Sequence, residues 1–222
     1  MTQKELQKTK SATLYHIIIL LTVLASISTC IYLQRKSGLE SGSTFKSRQP
    51  DLEIKQEIQK EWAQALELPG VPNLHKVSDD LYRGAQPSSD GMKQLEKLGI
   101  KTIINLRLVH SDRDEIENTE LSYVHIPMAT WNTQDEDVVR FLKIIMDSNN
   151  TPVFVHCQYG ADRTGTMCAI YRIAIEGWNK IEAIDEMTKG GFGFHSIWKN
   201  LVDDIHSLDI DKIKHASSLS EY

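Results

Sequence analysis

The sequence predicts an α/β fold: a central, mostly parallel sheet flanked by helices, with a transmembrane helix at the N-terminus. Three observations support this. Short β-branched runs alternate with helical patterns over residues 81–208, as in sheets covered on both faces. Residues 11–34 contain no Asp, Glu, Lys or Arg, and such a run can cross a bilayer. Over residues 153–165, a strand pattern leads through a glycine-containing loop into a helix pattern.

The apolar run places a basic segment and membrane anchor at 1–34, with residues 12–33 in the bilayer as a single pass. A cleaved signal peptide and a lipid-modified Cys30 are the alternatives. Positive residues are nearly balanced across the run, so charge barely sets the orientation. A short basic N-terminus most often stays inside, which favours an extracytoplasmic location for the main domain.

A linker and one helix are predicted to connect the anchor to the main domain, over residues 35–70. Residues 38–50 are rich in Ser, Gly and basic residues, which is typical of a flexible linker. Residues 51–68 place Ile54, Ile58 and Trp62 on one face of an amphipathic helix, which Pro69 and Gly70 would end.

The main domain is predicted to span residues 71–209, followed by a polar, frayed tail at 210–222. Residues 111–119 are charged and form a loop or a helix. The patterns predict strands at 81–83, 102–106, 122–126 and 153–156, and helices at 89–98, 135–146, 164–176, 181–189 and 196–208.

Composition narrows the function. The 222-residue chain has a net charge of -5, which argues against a nucleic-acid partner. Its three cysteines give no disulfide framework. Cys168 lies in a predicted helix, either as a small core residue or as a thiol that traps Cys157 under oxidation.

The segment from Val153 to Gly165 carries the chemistry. A strand, a short loop and a helix N-terminus form a cradle for an anion. Cys157 lies at its mouth, where a thiolate is stabilised and can act as a nucleophile. Arg163 offers a planar fork of donors that suits two phosphoryl oxygens. Gly160 lets the loop turn.

The neighbouring residues have supporting roles. His156 precedes the nucleophile and can position it through ring hydrogen bonds. Thr164 is the predicted N-cap, and its hydroxyl can reach the sulfur or the leaving group. The predicted phosphate-binding loop comprises Gln158, Tyr159, Gly160, Ala161, Asp162 and Arg163.

His-Cys, five residues, then Arg-Thr-Gly resembles the signature of cysteine-dependent protein tyrosine and dual-specificity phosphatases. Residues 81–88 and 98–107 resemble the opening segment of their compact members, and the resemblance covers about residues 71–209. It implies hydrolysis of phosphomonoesters through a phosphocysteine, without metal or cofactor. The partners would be a phosphorylated protein or small phosphoester substrates.

The resemblance also implies a general acid, which protonates the leaving oxygen. In that family an Asp on a mobile loop supplies the proton. Here the corresponding loop, residues 128–137, carries its acids late, with Asp135 the first choice and Asp137 behind it. Asp162 is the rival, because a loop Asp at this position resembles the myotubularin lipid phosphatases.

Other functions remain open at this stage: a phosphoinositide or inositol phosphate phosphatase, a phosphate-binding pseudophosphatase, and sulfur transfer or arsenate reduction. No Lys lies between Cys157 and Arg163, which disfavours highly charged substrates. Residues 190–194 either border the pocket or turn the chain. The basic candidates near the site are Arg107, His110, Arg113, Lys189 and His195.

Overall fold

The computed structural model describes residues 60–218. They form a six-stranded mixed sheet with the strand order β1-β2-β3-β6-β4-β5. The pairs β3–β6, β6–β4 and β4–β5 are parallel, whereas β1–β2 and β2–β3 are antiparallel. The strands are β1 (Gln64–Ala65), β2 (His75–Lys76), β3 (Leu81–Gly84), β4 (Thr102–Asn105), β5 (Ser122–His125) and β6 (Val153–His156).

Helices cover the sheet. They are α1 (Ser89–Leu98), α2 (Arg113–Ile116), α3 (Asp135–Met146), α4 (Asp162–Ala174), α5 (Lys180–Lys189), α6 (Lys199–Ser207) and α7 (Ile210–Ala216), with a 3₁₀ turn at Ser196–Trp198 before α6. The predicted parallel centre of the sheet is confirmed. The two-residue strands β1 and β2 were not predicted, because they carry no alternating pattern of their own.

Strand β6 places its two faces in different cores. Val153 and Val155 join the larger hydrophobic cluster, with α3 to α6, whereas Phe154 packs in the cluster that contains residues of α1. This alternation follows from the two-residue period of a strand. At the end of β6, His156 is paired with Gly84 of β3 and Asn105 of β4. Three parallel strands therefore end together, at the edge where ligands bind in such sheets.

Both flanks of the predicted domain need correction. Residues 60–68, the described part of the predicted amphipathic helix 51–68, contain β1 instead of a helix. The Leu66 amide donates to the Leu74 carbonyl, and such tertiary bonds outweigh the helical pattern. The predicted frayed tail contains α7, capped by Asp209 and anchored by Ile213, which is buried. Both elements lie outside the predicted 71–209.

The predicted anchor, at residues 1–34, and the linker lie outside the described residues. Among residues 60–218, no helix combines the length and the apolar composition that a bilayer crossing requires.

Candidate active site

The loop after β6 is shaped by a close contact with β3. Gly160 has φ +70°, and a Cβ there would lie 2.4 Å from the Gly84 carbonyl oxygen. Cys157, the first residue of the loop, is buried. Only glycine fits the conformation and the space together, as the sequence predicted for Gly160. The loop therefore packs against the end of β3, and Cys157 directly follows the neighbouring strand β6.

A buried arginine braces this loop from below. Arg83 is 1% exposed, and its Nη2 donates to the Gly160 carbonyl over 2.8 Å. Its guanidinium lies 3.7 Å from the ring centroid of Phe192. Burial lowers the pKa of Arg83, although Cys168, Glu186 and Cys157 oppose the shift. Among residues 60–218, Arg83 forms no ion pair with a carboxylate, so its positive charge is available to an anion in the loop.

Sequence reasoning placed Arg83 in a family-like stretch but gave it no role. Its function depends on the pairing of β3 with β6, which no local pattern reveals. An arginine inside an apolar strand pattern was the available signal, because a buried cation needs a partner.

Arg163 and Thr164 have donors without partners. Arg163 Nη1 lies 3.5 Å from the carbonyl oxygens of Leu106 and Met128, at the limit of hydrogen bonding. Arg163 Nε and Thr164 Oγ1 are buried and have no partner in the described chain. Buried polar groups are normally satisfied, so these two groups suit an incoming oxyanion.

Thr164 is not the N-cap. Helix α4 begins at Asp162, its N-cap is Ala161, and no side chain caps it. The loop turns into helical geometry earlier than predicted because Gly160 already makes the sharp turn. Thr164 therefore lies in the first helical turn, fully buried.

His156 lies beside the nucleophile, with its Nδ1 3.3 Å from the Cys157 carbonyl oxygen, and is held by a partner that was not predicted. Its Nε2 lies 2.7 Å from Asp112 Oδ2, and both side chains are fully buried. Gln86 Nε2 donates to Asp112 Oδ1 over 2.9 Å. Burial alone would raise the pKa of Asp112, but the hydrogen bonds from His156 and Gln86 outweigh it and lower the pKa. The carboxylate thus fixes the His156 ring beside Cys157.

Two of the predicted basic candidates join this support. Arg107 Nη1 donates to Gln86 Oε1 over 2.9 Å, and His110 Nε2 lies 3.3 Å from Asp112 Oδ1. Arg113 lies 5.9 Å from the Tyr123 ring centroid, and Lys189 pairs with Asp185. None of these four lines the pocket described next.

The pocket at this loop is about 330 Å³ in volume. Arg163 and Asp162 line it together with the last of the basic candidates, His195. Its rim is largely apolar and exposed. Four side chains form this apolar rim, with exposed fractions of 42%, 67%, 62% and 78%: Leu108, Trp131, Tyr159 and Ile197.

The two acid candidates lie in different places. Asp162, only 5% exposed, lines the pocket and bonds to His195. Asp135 accepts from Lys212 Nζ over 2.6 Å and, like Asp137, is not among the residues that line the pocket. The structure thus brings Asp162 to Arg163 and leaves Asp135 beside α7.

The glycine-rich run 190–194 turns the chain and supports the loop. Asn73 Nδ2 donates to the carbonyl oxygens of Phe192 and Tyr159, over 2.9 and 3.0 Å. Phe192 is buried against Arg83. The run itself does not line the pocket, but it delivers His195 to it.

Comparisons with known proteins agree with this geometry. Residues 71–202 match the family model described as DSP-PTPase phosphatase fused to NAD+ kinase. The dual specificity protein phosphatase TpbA of Pseudomonas aeruginosa UCBPP-PA14 is 31% identical over 161 residues, which are 72% of this chain and 72% of that protein.

Solved structures show the same fold. A crystal structure of P. aeruginosa TpbA superposes with a TM-score of 0.64 at 30% identity, covering 71% of this chain and 96% of that one. A cysteine-to-serine TpbA in complex with pTyr gives 0.64 at 29% identity, over the same shares. The core of the PP-IP phosphatase SIW14 from S. cerevisiae gives 0.60 at 21% identity, over 70% and 96%, and shares the fold alone.

Proposed function

Because this chain belongs to the DSP-PTPase family of cysteine-dependent phosphatases, we propose that it acts on phosphotyrosine in proteins. It is a phosphoric monoester hydrolase that works through a phosphocysteine, with Cys157 as the nucleophile and Arg163 as the phosphate fork. The substrate is inferred from the side chains that line the pocket.

The observation that carries the substrate proposal is the apolar rim. Trp131 and Tyr159 are exposed at 67% and 62%, although aromatic side chains usually lie buried. They stand beside Arg163 in one pocket, where they can flank the ring of a phosphotyrosine while its phosphate enters the cradle. Aromatic pairs contribute about 0.5–1.5 kcal/mol beyond area burial.

The charges of the pocket support the same choice over inositol phosphates. Arg163 and His195 are the only basic side chains that line it in the described chain. Asp162 adds a carboxylate. A polyphosphate would need several cations, whereas a single phosphate dianion needs one fork and the loop amides.

The reaction proceeds in two steps. Cys157 Sγ attacks phosphorus while Arg163 and the loop amides hold the phosphoryl oxygens. The ester bond breaks with its electron pair on the leaving oxygen, which takes up a proton. Water then attacks the phosphocysteine, releasing phosphate and the thiolate. His156, fixed by Asp112, keeps the nucleophile in place.

Steady-state kinetics test the proposal with a phosphotyrosine peptide, its phosphoserine counterpart and an inositol polyphosphate. We expect the phosphotyrosine peptide to have the highest kcat/KM. Cys157→Ser should abolish turnover while it retains peptide binding, and a chelator should have no effect. Preference for the inositol polyphosphate would overturn the substrate assignment and leave the phosphatase chemistry intact.

The rim has a matched control. Trp131→Ala should raise KM for the phosphotyrosine peptide roughly two- to twelvefold, since a loss of about 0.5–1.5 kcal/mol is expected and about 1.4 kcal/mol corresponds to a factor of ten. Val109→Ala changes a side chain that is 93% exposed but does not line the pocket, and should leave KM unchanged. Equal effects of the two substitutions would argue against rim recognition.

We also propose that residues 12–33 tether the domain to a membrane in a single pass, with the domain outside the cytoplasm. The support is the uncharged run of residues 11–34, together with the basic N-terminus before it. The full chain should stay with membranes through alkaline washing, and a chain truncated before Lys60 should not. Protease added outside intact cells should cleave the domain. Release of the full chain by alkali would contradict the anchor.

A further inference from the structure

The reaction needs a proton donor at the leaving oxygen. The acids of the segment predicted to provide one, residues 128–137, all lie in helix α3, and the part that precedes this helix, residues 128–134, contains no carboxylate. The titratable groups that line the pocket are Asp162, Arg163, Tyr159 and His195. Arginine side chains do not release a proton in proteins, and an ordinary phenol has a pKa near 10. Asp162 and His195 therefore remain as candidates for acid–base work near neutral pH.

These two side chains form a close pair. Asp162 Oδ1 accepts the backbone N–H of His195 over 2.9 Å, and Oδ2 lies 2.9 Å from His195 Nδ1. The carboxylate is 5% exposed, on the first turn of α4, where the helix dipole favours negative charge. Because the Asp162 oxygens are the acceptors in both contacts, the transferable proton of the pair belongs to the imidazole.

The pairing also determines which nitrogen can act. With Nδ1–H donated to Asp162, the tautomer is fixed and Nε2 is the free ring position. Within residues 60–218, His195 Nε2 makes no hydrogen bond. The side chain is 49% exposed and lies against Tyr159, with ring centroids 5.7 Å apart. Nε2 is therefore available to a bound substrate.

We propose that His195, oriented by Asp162, is the general acid and then the general base of the two chemical steps. The proposal rests on phosphomonoester hydrolysis at Cys157 and does not depend on which phosphoester is the physiological one. Asp162 acts through His195 as a positioning residue. Asp135 bonds to Lys212 and does not line the pocket, so the proposal gives it no part.

The proton balance closes over one cycle. In the first step, the thiolate of Cys157 forms the S–P bond, the P–O bond breaks, and the Nε2 proton of the imidazolium moves to the leaving oxygen. In the second, neutral His195 takes a proton from water as that water attacks phosphorus. The S–P bond breaks, phosphate leaves, and the thiolate and the imidazolium are restored.

The surrounding charges favour this cycle in the substrate complex. Asp162 stabilises the imidazolium, whereas Arg163, which lines the same pocket, opposes it. A phosphate dianion in the cradle offsets the charge of Arg163, which is the only cation that lines the described pocket beside His195. Tyr159 is the remaining titratable side chain that lines the pocket.

Leaving-group dependence tests the assignment in the full chain. Phenyl phosphate needs a proton on departure, and 2,4-dinitrophenyl phosphate hardly does. His195→Gln should lower kcat on phenyl phosphate roughly 10²–10³-fold, within the range for general acids, and change the dinitrophenyl rate by less than about threefold. It should also remove the basic limb of the pH–kcat profile, and added imidazole should restore part of the phenyl phosphate rate in His195→Ala.

Asp162→Asn separates orientation from proton transfer. Loss of the negative charge destabilises the imidazolium, so the basic limb should move to lower pH instead of disappearing. If Asp162→Asn removes the limb and steepens the leaving-group dependence while His195→Gln does neither, Asp162 is the acid and the proposal is wrong. Equal losses on both esters in His195→Gln, with the limb retained, would show a purely structural role.

The control is His206→Gln, an exposed histidine on α6 outside the pocket, which should match the unmodified chain on both esters. The outcomes also separate this proposal from the substrate assignment. Turnover of phosphotyrosine peptide without any leaving-group effect in His195→Gln overturns the acid alone. A His195 effect on phenyl phosphate without preference for phosphotyrosine peptide overturns the substrate alone.

Discussion

Helix α4 carries an arginine near each end, and the two differ in how fully their guanidinium groups are hydrogen-bonded. Arg172, in the last turn, donates to Glu186 through Nε and Nη2, over 2.8 and 2.7 Å, and to Glu176 through Nη1 over 2.6 Å. Its guanidinium lies 4.4 Å from the Trp178 ring centroid. Within residues 60–218, the side chain of Arg163, in the first turn, makes two hydrogen bonds at 3.5 Å, and its Nε has no partner.

The difference separates a structural cation from a functional one. Burial alone would lower the pKa of Arg172, but the bonds to Glu186 and Glu176 outweigh it and raise the pKa. Every direction of that guanidinium is in use, so it can bind nothing more. Arg163 keeps its fork unsatisfied, which costs stability and leaves the site ready for a phosphate.

Of the substitutions considered, removal of the fully hydrogen-bonded Arg172 should have the largest effect on the free energy of unfolding. Arg172→Met leaves Glu186, which is 2% exposed, as an unpaired buried charge, and removing one partner of such a pair costs about 3–5 kcal/mol. Urea unfolding should show this loss, whereas kcat/KM of the remaining folded enzyme should change little. Arg172→Met combined with Glu186→Leu should recover much of the stability, and failure to recover any would count against the pairing as the cause.

Substitution of Arg163, whose donors are not all paired, should instead lower activity and cause no loss of stability. Arg163→Lys keeps the charge but loses the fork, and loss of a key oxyanion donor lowers kcat by about 10²–10³. Thermal unfolding in the absence of ligand should be unchanged or slightly improved. The stabilisation that phosphate or vanadate confers on the unmodified chain should disappear. A variant that keeps this ligand stabilisation would show that Arg163 is not the fork.

Asp112 is a second buried charged side chain with its hydrogen bonds made, since it pairs with His156, the residue before the nucleophile. Its pKa is lowered from the usual 3.8, so its stabilisation is present above that value and lost as pH falls through the lower folded pKa. Asp112→Asn should cost about 1.5–3 kcal/mol at neutral pH, as for a hydrogen bond to a charged group. Urea unfolding from pH 7 to pH 2 should show the gap from the unmodified chain closing below about pH 4. A constant gap would exclude the ionised carboxylate as its source.

The smallest effect is expected at Cys168, midway along α4. Burial raises the pKa of this thiol to about 11, so at pH 7.5 it stays protonated and unreactive. Peptide mapping after brief iodoacetamide treatment of the native chain should find Cys157 modified and Cys168 intact. Cys168→Ala should leave kcat/KM and the reversibility of peroxide inactivation unchanged. Loss of reversibility would instead favour the resolving-thiol alternative.

Local patterns predicted the parts of this site that lie together in the chain. Cys157, Gly160 and Arg163 form one strand–loop–helix unit, so the strand pattern, the central glycine and the helix start together predict an anion cradle. The roles of Arg83 and Asp112 were not predicted. The role of Arg83 arises from the pairing of β3 with β6, and that of Asp112 from a fully buried contact with His156, 44 positions away in the sequence. Thr164 was misplaced because a helix start is decided by the turn before it.

The flanking errors have the same origin. The periodicity of residues 51–68 suggested a helix, but Ala63 N–H donates to Glu186 Oε1 over 2.7 Å, a bond to the Arg172 cluster. Residues 210–216 appear polar in sequence, yet one apolar side chain, Ile213, is enough to seat α7. Asp135 was chosen by analogy of position, and its contact with Lys212 depends on that unforeseen helix.

The contact between Gly160 and the end of β3 bears on the kinetics of ligand capture. Because the loop is already seated on Gly84 and held by Arg83, a phosphate need not order it, and the entropic penalty that accompanies a folding lid is absent at this floor. Association should then be governed by diffusion through the open mouth. Discrimination between esters then arises after encounter, from how long each one stays bound and how readily its leaving group departs.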